Sequence, residues 1–139
     1  MKLSRWLIVS TALFLVAGCA SQTAREIGID KLAPRKAEQT LNGGIRQYED
    51  GNLSNAQRSL QEALHLGLTF NSDQVAAHKY LAFIYCSSNQ EKQCRDEFRR
   101  AFEIDPGFKL EPTEIGHPVW GPIYQGVRVE LISRGKVKP

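Results

Sequence analysis

QVAAHKYLAFIYCSSNQEKQCRDEFRRAFEIDP, running from Gln74 to Pro106, divides into two helical patterns around a polar turn. In the first, starting from about Asp73, Val75, Ala77, Tyr80, Leu81, Phe83, Ile84 and Tyr85 spread apolar surface over most sides of a helix. A helix apolar all round is one that neighbours bury on several faces. In the second, Cys94, Phe98, Ala101, Phe102 and Ile104 fall on one face. It ends at Asp105-Pro106, because proline lacks the N–H that a helix needs and its ring clashes with the preceding turn. Between them, Ser88-Asn89-Gln90-Glu91 reads as an S-x-x-E capping box that opens the second helix. The unit is a helical hairpin.

The segment upstream has the same form. Leu41, Ile45 and Tyr48 recur at i, i+4 and i+7, which predicts an amphipathic helix from about residue 37. Glu49-Asp50-Gly51-Asn52 stops it, with Gly51 suited to the left-handed position after a helix. Ser54 to Gln57 reads as another capping box, and Ala56, Leu60, Ala63 and Leu64 make one face that ends near Gly67. This set matches Cys94, Phe98, Ala101 and Phe102 one for one, with the same offset at all four positions. A fixed offset between two helical hairpins is the mark of a repeat architecture.

These positions resemble the tetratricopeptide repeat (TPR), a helix–turn–helix unit of roughly 34 residues. Leu81, Ala82 and Tyr85 fall on its L-G-x-x-Y pattern, and Cys94, Phe98, Ala101 and Pro106 on its alanine, aromatic, alanine and proline positions. Gly44, Gly51, Leu53, Ala56, Leu60 and Ala63 fit in the first hairpin, whose first helix carries its apolar residues one position late. Four extra residues around LTFNSD separate the units, and the match covers about 70 of the 139 residues. The expectation is an all-α fold with two TPR-like hairpins over 37–106. Over 107–139, Pro and Gly density up to Pro122 argues against another repeat at once. Pro122 suits the first turn of a last helix carrying Ile123, Tyr124, Val127 and Leu131, which would cap the array.

The N-terminus has a different composition. Lys2 and Arg5 precede an uncharged run, Trp6 to Gly18, too short for a good membrane span and fitting the h-region of a signal peptide over 1–18. Val16-Ala17-Gly18-Cys19 resembles the lipobox of bacterial lipoproteins, which implies that Cys19 becomes the acylated first residue of a mature chain of 121 residues. Several acyl chains (palmitate among them) would anchor it stably. Ala20 and Ser21 lack the aspartate that, in the lipoprotein sorting rules, holds such proteins in the inner membrane. That implies the outer membrane with the protein facing the periplasm, or a Gram-positive cell surface. Residues 19–36 read as a polar tether. Without Lys2 and Arg5 the charge is 16 basic against 15 acidic, with no basic stripe, so nucleic acid is not an expected partner.

Compartment bears on the remaining cysteines. Cys86 and Cys94 lie about four residues either side of the turn near residue 90, so an antiparallel hairpin would bring them face to face. A Cα separation of about 5–6 Å suits a disulfide. An oxidising compartment and the use of Cys19 for lipid leave this even pair, so a Cys86–Cys94 disulfide is expected. The spacing of Cys86 and Cys94 with His65, His78 or His117 has no metal-site pattern, and no metal is expected.

No catalytic constellation stands out: no G-x-S-x-G, no H-E-x-x-H and no phosphate loop. The nearest enzyme-like feature is His117 with Glu114. The expected role of that segment is instead a stack of His117 and Trp120 on the repeat surface, and neither an enzymatic activity nor a cofactor is expected. What remains is protein binding. The TPR resemblance implies a concave face lined by first helices, here Leu41, Ile45 and Tyr48 with Lys79 and Phe83. A one-residue shift of the first helix would instead make Leu41, Ile45 and Tyr48 plain core, or the C-terminal segment would fill the groove. The short lipoprotein form, the HKYLAFIYC helix and the GHPVWGP tail together are similar to the TPR lipoproteins accessory to bacterial type VI secretion. That similarity implies a non-enzymatic adaptor that binds proteins of an envelope or secretion complex, with self-association open. A pilotin-like chaperone for an outer-membrane secretin and an activator of a cell-wall enzyme are the alternatives.

Overall fold

The computed structural model describes residues 35–139. The expected signal peptide, Cys19 and nearly all of the tether lie outside them. Among the described residues the protein is all-helical, with six helices in packed hairpin-like pairs and no strand. They are α1 (Lys36–Glu49), α2 (Leu53–Leu66), α3 (Asn71–Ser87), α4 (Glu91–Ile104), α5 (Pro112–Ile115) and α6 (Gly121–Ser133). No described helix is long and apolar enough to cross a membrane.

α1 pairs with α2 and α3 with α4, and α3 also packs on α1 and α2. The first pair turns at Gly51, whose φ of +77° is a left-handed conformation that costs a glycine little. The two helices approach closely where Gly44 faces Leu60. A Cβ at 44 would stand 3.0 Å from a Leu60 side-chain atom and 3.2 Å from its backbone nitrogen. The correspondence between the hairpins is visible in the packing: Ala56, Leu60 and Ala63, and then Cys94, Phe98 and Ala101, all have 0% exposure.

Neither expected capping box forms. α2 starts at Leu53 behind Asn52, which puts Ser54 inside the helix. The Ser88 amide bonds back to the carbonyls of Ile84 and Tyr85, so Ser88 closes α3 and cannot open α4. Asn89 makes the turn at φ +58°, and α4 begins behind Gln90. Asparagine tolerates this region better than most residues, which lets the turn be tight without glycine.

After α4 the chain makes a short helix that the Pro and Gly density concealed. α5 carries the capping box of the described chain: the Glu111 side chain accepts from the first-turn backbone while Glu114 accepts from the Glu111 amide at 3.0 Å. α6 then lies along α4 with Tyr124, Val127 and Leu131 buried. Tyr124 stacks on Phe102 and meets Phe98 edge to face, while Glu130 bonds Arg99 and lies beside Arg95. Pro122 is in its first turn, as expected, behind Gly121. Any Cβ at 121 would collide with the Ile115 carbonyl.

Candidate functional site

The Cys86 and Cys94 sulfurs stand at disulfide distance, with the Cα atoms 5.2 Å apart. Both residues are buried, and they join the last turn of α3 to the first turn of α4. This fastens the turn of the hairpin, with Cys94 at 0% exposure and Cys86 at 6%.

The residues expected on the concave face are divided by the structure. Leu41 and Phe83 are core, 3% and 2% exposed, and cannot meet a partner in this conformation. For Leu41 the cause is packing within α1's buried face. For Phe83 it is Trp120, whose ring stacks on it at 4.4 Å between centroids. The C-terminal segment therefore covers this part of the face. Ile45 and Tyr48 are half-buried at its rim, and Lys79 is half-buried beside them.

Ring contacts organise the rest. Tyr48 meets Tyr80 edge to face at 5.1 Å, and Tyr80 meets Phe83 at 5.9 Å. Such pairs add about 0.5–1.5 kcal/mol beyond their area burial. His117 stacks flat on Trp120 at 3.3 Å, as the sequence led us to expect, and its Nδ1 accepts the Val119 amide at 3.2 Å. Trp120 Nε1 donates to the Glu114 carbonyl at 2.9 Å, which fixes the indole over Phe83. Lys79 Nζ sits 4.9 Å from the Tyr80 centroid and 2.5 Å from Glu114 Oε1. Burial raises the Tyr48 phenol above its ordinary pKa, with Tyr80 and Glu114 adding to that. The whole is a partly covered aromatic band along α1, α3 and the α5–α6 elbow, with one cation already paired.

Tyr80 and Glu114 were not expected there. Tyr80 was legible in principle, since it precedes Phe83 by three residues and shares its face. Glu114 had no local signal, because only the path of the chain through α5 brings it to Lys79.

On the other side of α3, His78 Nδ1 and Glu97 Oε2 are 2.6 Å apart and both residues are buried. Arg100 donates to the other Glu97 oxygen at 2.9 Å. Gln61 donates to the Tyr85 hydroxyl at 2.9 Å on the wall of a depression of about 390 Å³ that also includes Glu97 and Arg100. The polar atoms that meet here hold one another, which is what burying a carboxylate requires. Among the described residues no group of three or more His, Cys, Asp or Glu is placed to hold a metal.

Comparison with protein-family models, with curated proteins and with solved structures gives no match.

Proposed function

We propose that the protein is a lipid-anchored interaction adaptor at the periplasmic face of the bacterial outer membrane, built on TPR-like repeats and accessory to a secretion machine of the type VI kind. The signal peptide and lipobox ending in Cys19 support the anchor and the compartment. The Cys86–Cys94 pair fits the same oxidising compartment. The observation that carries the adaptor reading is the aromatic band. Tyr48, Tyr80 and Trp120 are only half-buried and line the first helices of both hairpins and the elbow beyond them. Rigid aromatic surface of this sort is what interface hot spots are made of. Ile115 and Val119, 37% and 43% exposed, extend it with apolar surface. The docking surface is then this rim rather than Leu41 or Phe83, and the protein acts by binding, not by catalysis.

The test is a crosslinked pull-down of the lipidated protein from envelope membranes, against a Tyr48→Ser/Tyr80→Ser/Val119→Glu variant whose helical circular dichroism matches the parent. Secretion-machine components should be captured by the parent and lost with the variant. Capture of a secretin subunit instead would favour a chaperone of the pilotin kind, and capture of a cell-wall hydrolase an activator. Retention of partners by the variant would move the interface off the aromatic band.

A further inference from the structure

We propose that the elbow over 111–120 is a displaceable internal occupant of the groove between α1 and α3, and that the partner replacing it is a peptide segment with a carboxylate and an aromatic ring. This deepens the docking reading above and rests on it: the rim of the band is what the closed form offers, and Phe83 joins it when the elbow lifts. The elbow is built as a unit. Glu111 and Glu114 close the capping box of α5, Trp120 Nε1 donates to the Glu114 carbonyl, and His117 lies flat on the Trp120 ring. The His117 carbonyl accepts the Gly121 amide at 2.9 Å, which closes the far end. Its hold on the rest of the fold is slighter. α5 has no buried residue, and among the described helices it packs against α6 alone. Apart from Glu114, His117 and Trp120, which are half-buried, every residue from 111 to 120 is exposed. The elbow reaches α3 through side chains, Glu114 to Lys79 and Trp120 to Phe83. A segment with so little buried opens at lower free energy than the core beneath it. Its two ends are fixed, by buried Phe108 and Leu110 before it and by Tyr124 and Val127 after it.

What the elbow covers dictates what can replace it. The Lys79 and Glu114 side chains are only 17% and 20% exposed where they pair. A partner that takes the place of Glu114 covers the same ammonium, and a covered charge without a counter-charge is costly. The partner therefore brings a carboxylate. Phe83 is 2% exposed with the elbow down and meets water with it up. A second ring laid on it removes that apolar surface from water and restores the stack. Glu114 and Trp120 meet both demands from positions six residues apart, and they are the template for the displacing segment. A basic or wholly apolar segment leaves Lys79 unpaired. Tyr48 and Tyr80, half-buried at the rim, add ring surface to whichever segment is seated.

The experiment uses the full chain, processed and lipidated, in detergent micelles. The probe is a fluorescein-labelled synthetic peptide of the elbow itself, LEPTEIGHPVWG over 110–121, with binding read by anisotropy. A Glu114→Gln/Trp120→Ala variant that keeps the helical circular dichroism of the parent frees the groove. It should bind the peptide at least about ten-fold more tightly than the parent, whose own elbow competes at high effective concentration. Binding should weaken by about ten-fold or more when Lys79→Met is added to that variant, or when the peptide carries Glu114→Gln and Trp120→Ala. Affinity no better than the parent's, or indifferent to Lys79, overturns the proposal. The parent gives a second measurement that needs no variant. Its Trp120 indole N–H, followed by NMR, should exchange at least about ten-fold faster than the Tyr124 and Val127 amides. Equal rates would mean that the elbow leaves only when α6 unfolds, and overturn it as well. An elbow that stays down leaves the rim available and the adaptor reading intact. Failure of the adaptor reading shows in the pull-down instead, where the Tyr48, Tyr80 and Val119 substitutions would keep their partners.

Discussion

The α1–α2 hairpin is closed by small residues. Gly44 lets Leu60 come against the α1 backbone, and Gly51 makes the turn. The α3–α4 hairpin has Ala82 at the position corresponding to Gly44, and it is closed by other means. A disulfide crosses its turn, Phe83 meets Phe98 at 6.2 Å, and a buried His78–Glu97 pair lies between the helices. The second hairpin is also covered on both sides, by α1 and α2 on one and by Trp120 and α6 on the other. One spacing thus supports two kinds of closure: close backbone approach at the edge of the stack, and cross-linking with large rings at its centre.

The largest expected effect separates Leu60 from its counterpart Phe98. Both are fully buried, but Phe98 touches rings on two other helices, Phe83 and Tyr124. Phe98→Ala should lower stability by about 4 kcal/mol, and Leu60→Ala by about 3 kcal/mol. The sharper difference is in what else is lost. With Phe98 gone, Tyr124 loses an edge-to-face partner and α6 loosens, so near-ultraviolet dichroism and amide protection over 121–133 should fall before global unfolding. Equal protection of α6 in both variants would mean that the two hairpins carry the C-terminal helix alike.

Next is the disulfide. Closing so short a loop is worth about 2 kcal/mol, and the bond belongs to the second hairpin alone. A reductant should lower the urea midpoint of the parent and leave that of a Cys86→Ser/Cys94→Ser variant where it was. Hydrogen exchange should locate the loss in the last turn of α3 and the first of α4, with α1 and α2 unaltered. A parent midpoint that ignores the reductant would mean that the native thiols are unpaired.

A smaller effect concerns how α6 is held on the second hairpin. Arg99 hydrogen-bonds Glu130 at 3.1 Å, with Arg134 and Arg95 close by. The Arg99 bond is the main cause that holds the Glu130 carboxyl below its ordinary value of 4.5, against a weaker opposing effect of burial. A carboxyl lowered on folding contributes stability that is fully present above about 4.5 and is lost as pH falls through the depressed folded value. Between neutral pH and pH 3, the parent should therefore lose more stability than Glu130→Gln does. High salt should shrink the gap, since these charges are solvent-accessible. Parallel pH profiles would show that rings alone hold α6.

Much of this was legible in the residues. The apolar periodicity gave α1 to α4 within a few positions, because burial of one face is a local pattern that repeats with the helical turn. Pro106 and Pro122 marked a stop and a start for steric reasons that need no context. The approach of Cys86 to Cys94 followed from the turn between them. The caps were misread since Ser54 and Ser88 fit an S-x-x-Q/E pattern equally well one or two residues inside a helix or at the end of the previous one. Only the backbone path distinguishes these. The aromatic band was legible in part: Tyr48 and Phe83 were on the right helices, but the cover over Phe83 depends on a turn at α5 that brings Trp120 and Glu114 back from far along the chain. Contacts of that kind, like His78 with Glu97, are set by tertiary packing and leave no trace in a short window.

The finest test of the comparison lies in two adjacent glycines of α1. Glycine inside a helix costs about 1 kcal/mol relative to alanine, chiefly through the backbone freedom it surrenders. At Gly43 a Cβ would meet nothing within 4 Å, so Gly43→Ala should recover a good part of that, raising stability by about 0.7 kcal/mol. At Gly44 the same Cβ presses on Leu60. Its side chain could move by a few tenths of an ångström, but the backbone nitrogen at 3.2 Å belongs to α2 and yields only if the whole helix shifts. Overpacking of this sort costs about 1–3 kcal/mol, so Gly44→Ala should fall below the parent despite the same gain in propensity. Urea midpoints of the two variants should lie on opposite sides of the parent. Were Gly44→Ala also stabilising, the first hairpin would have slack at its closest point, and its closure would rest on the turn at Gly51 instead of on the fit of Gly44 to Leu60.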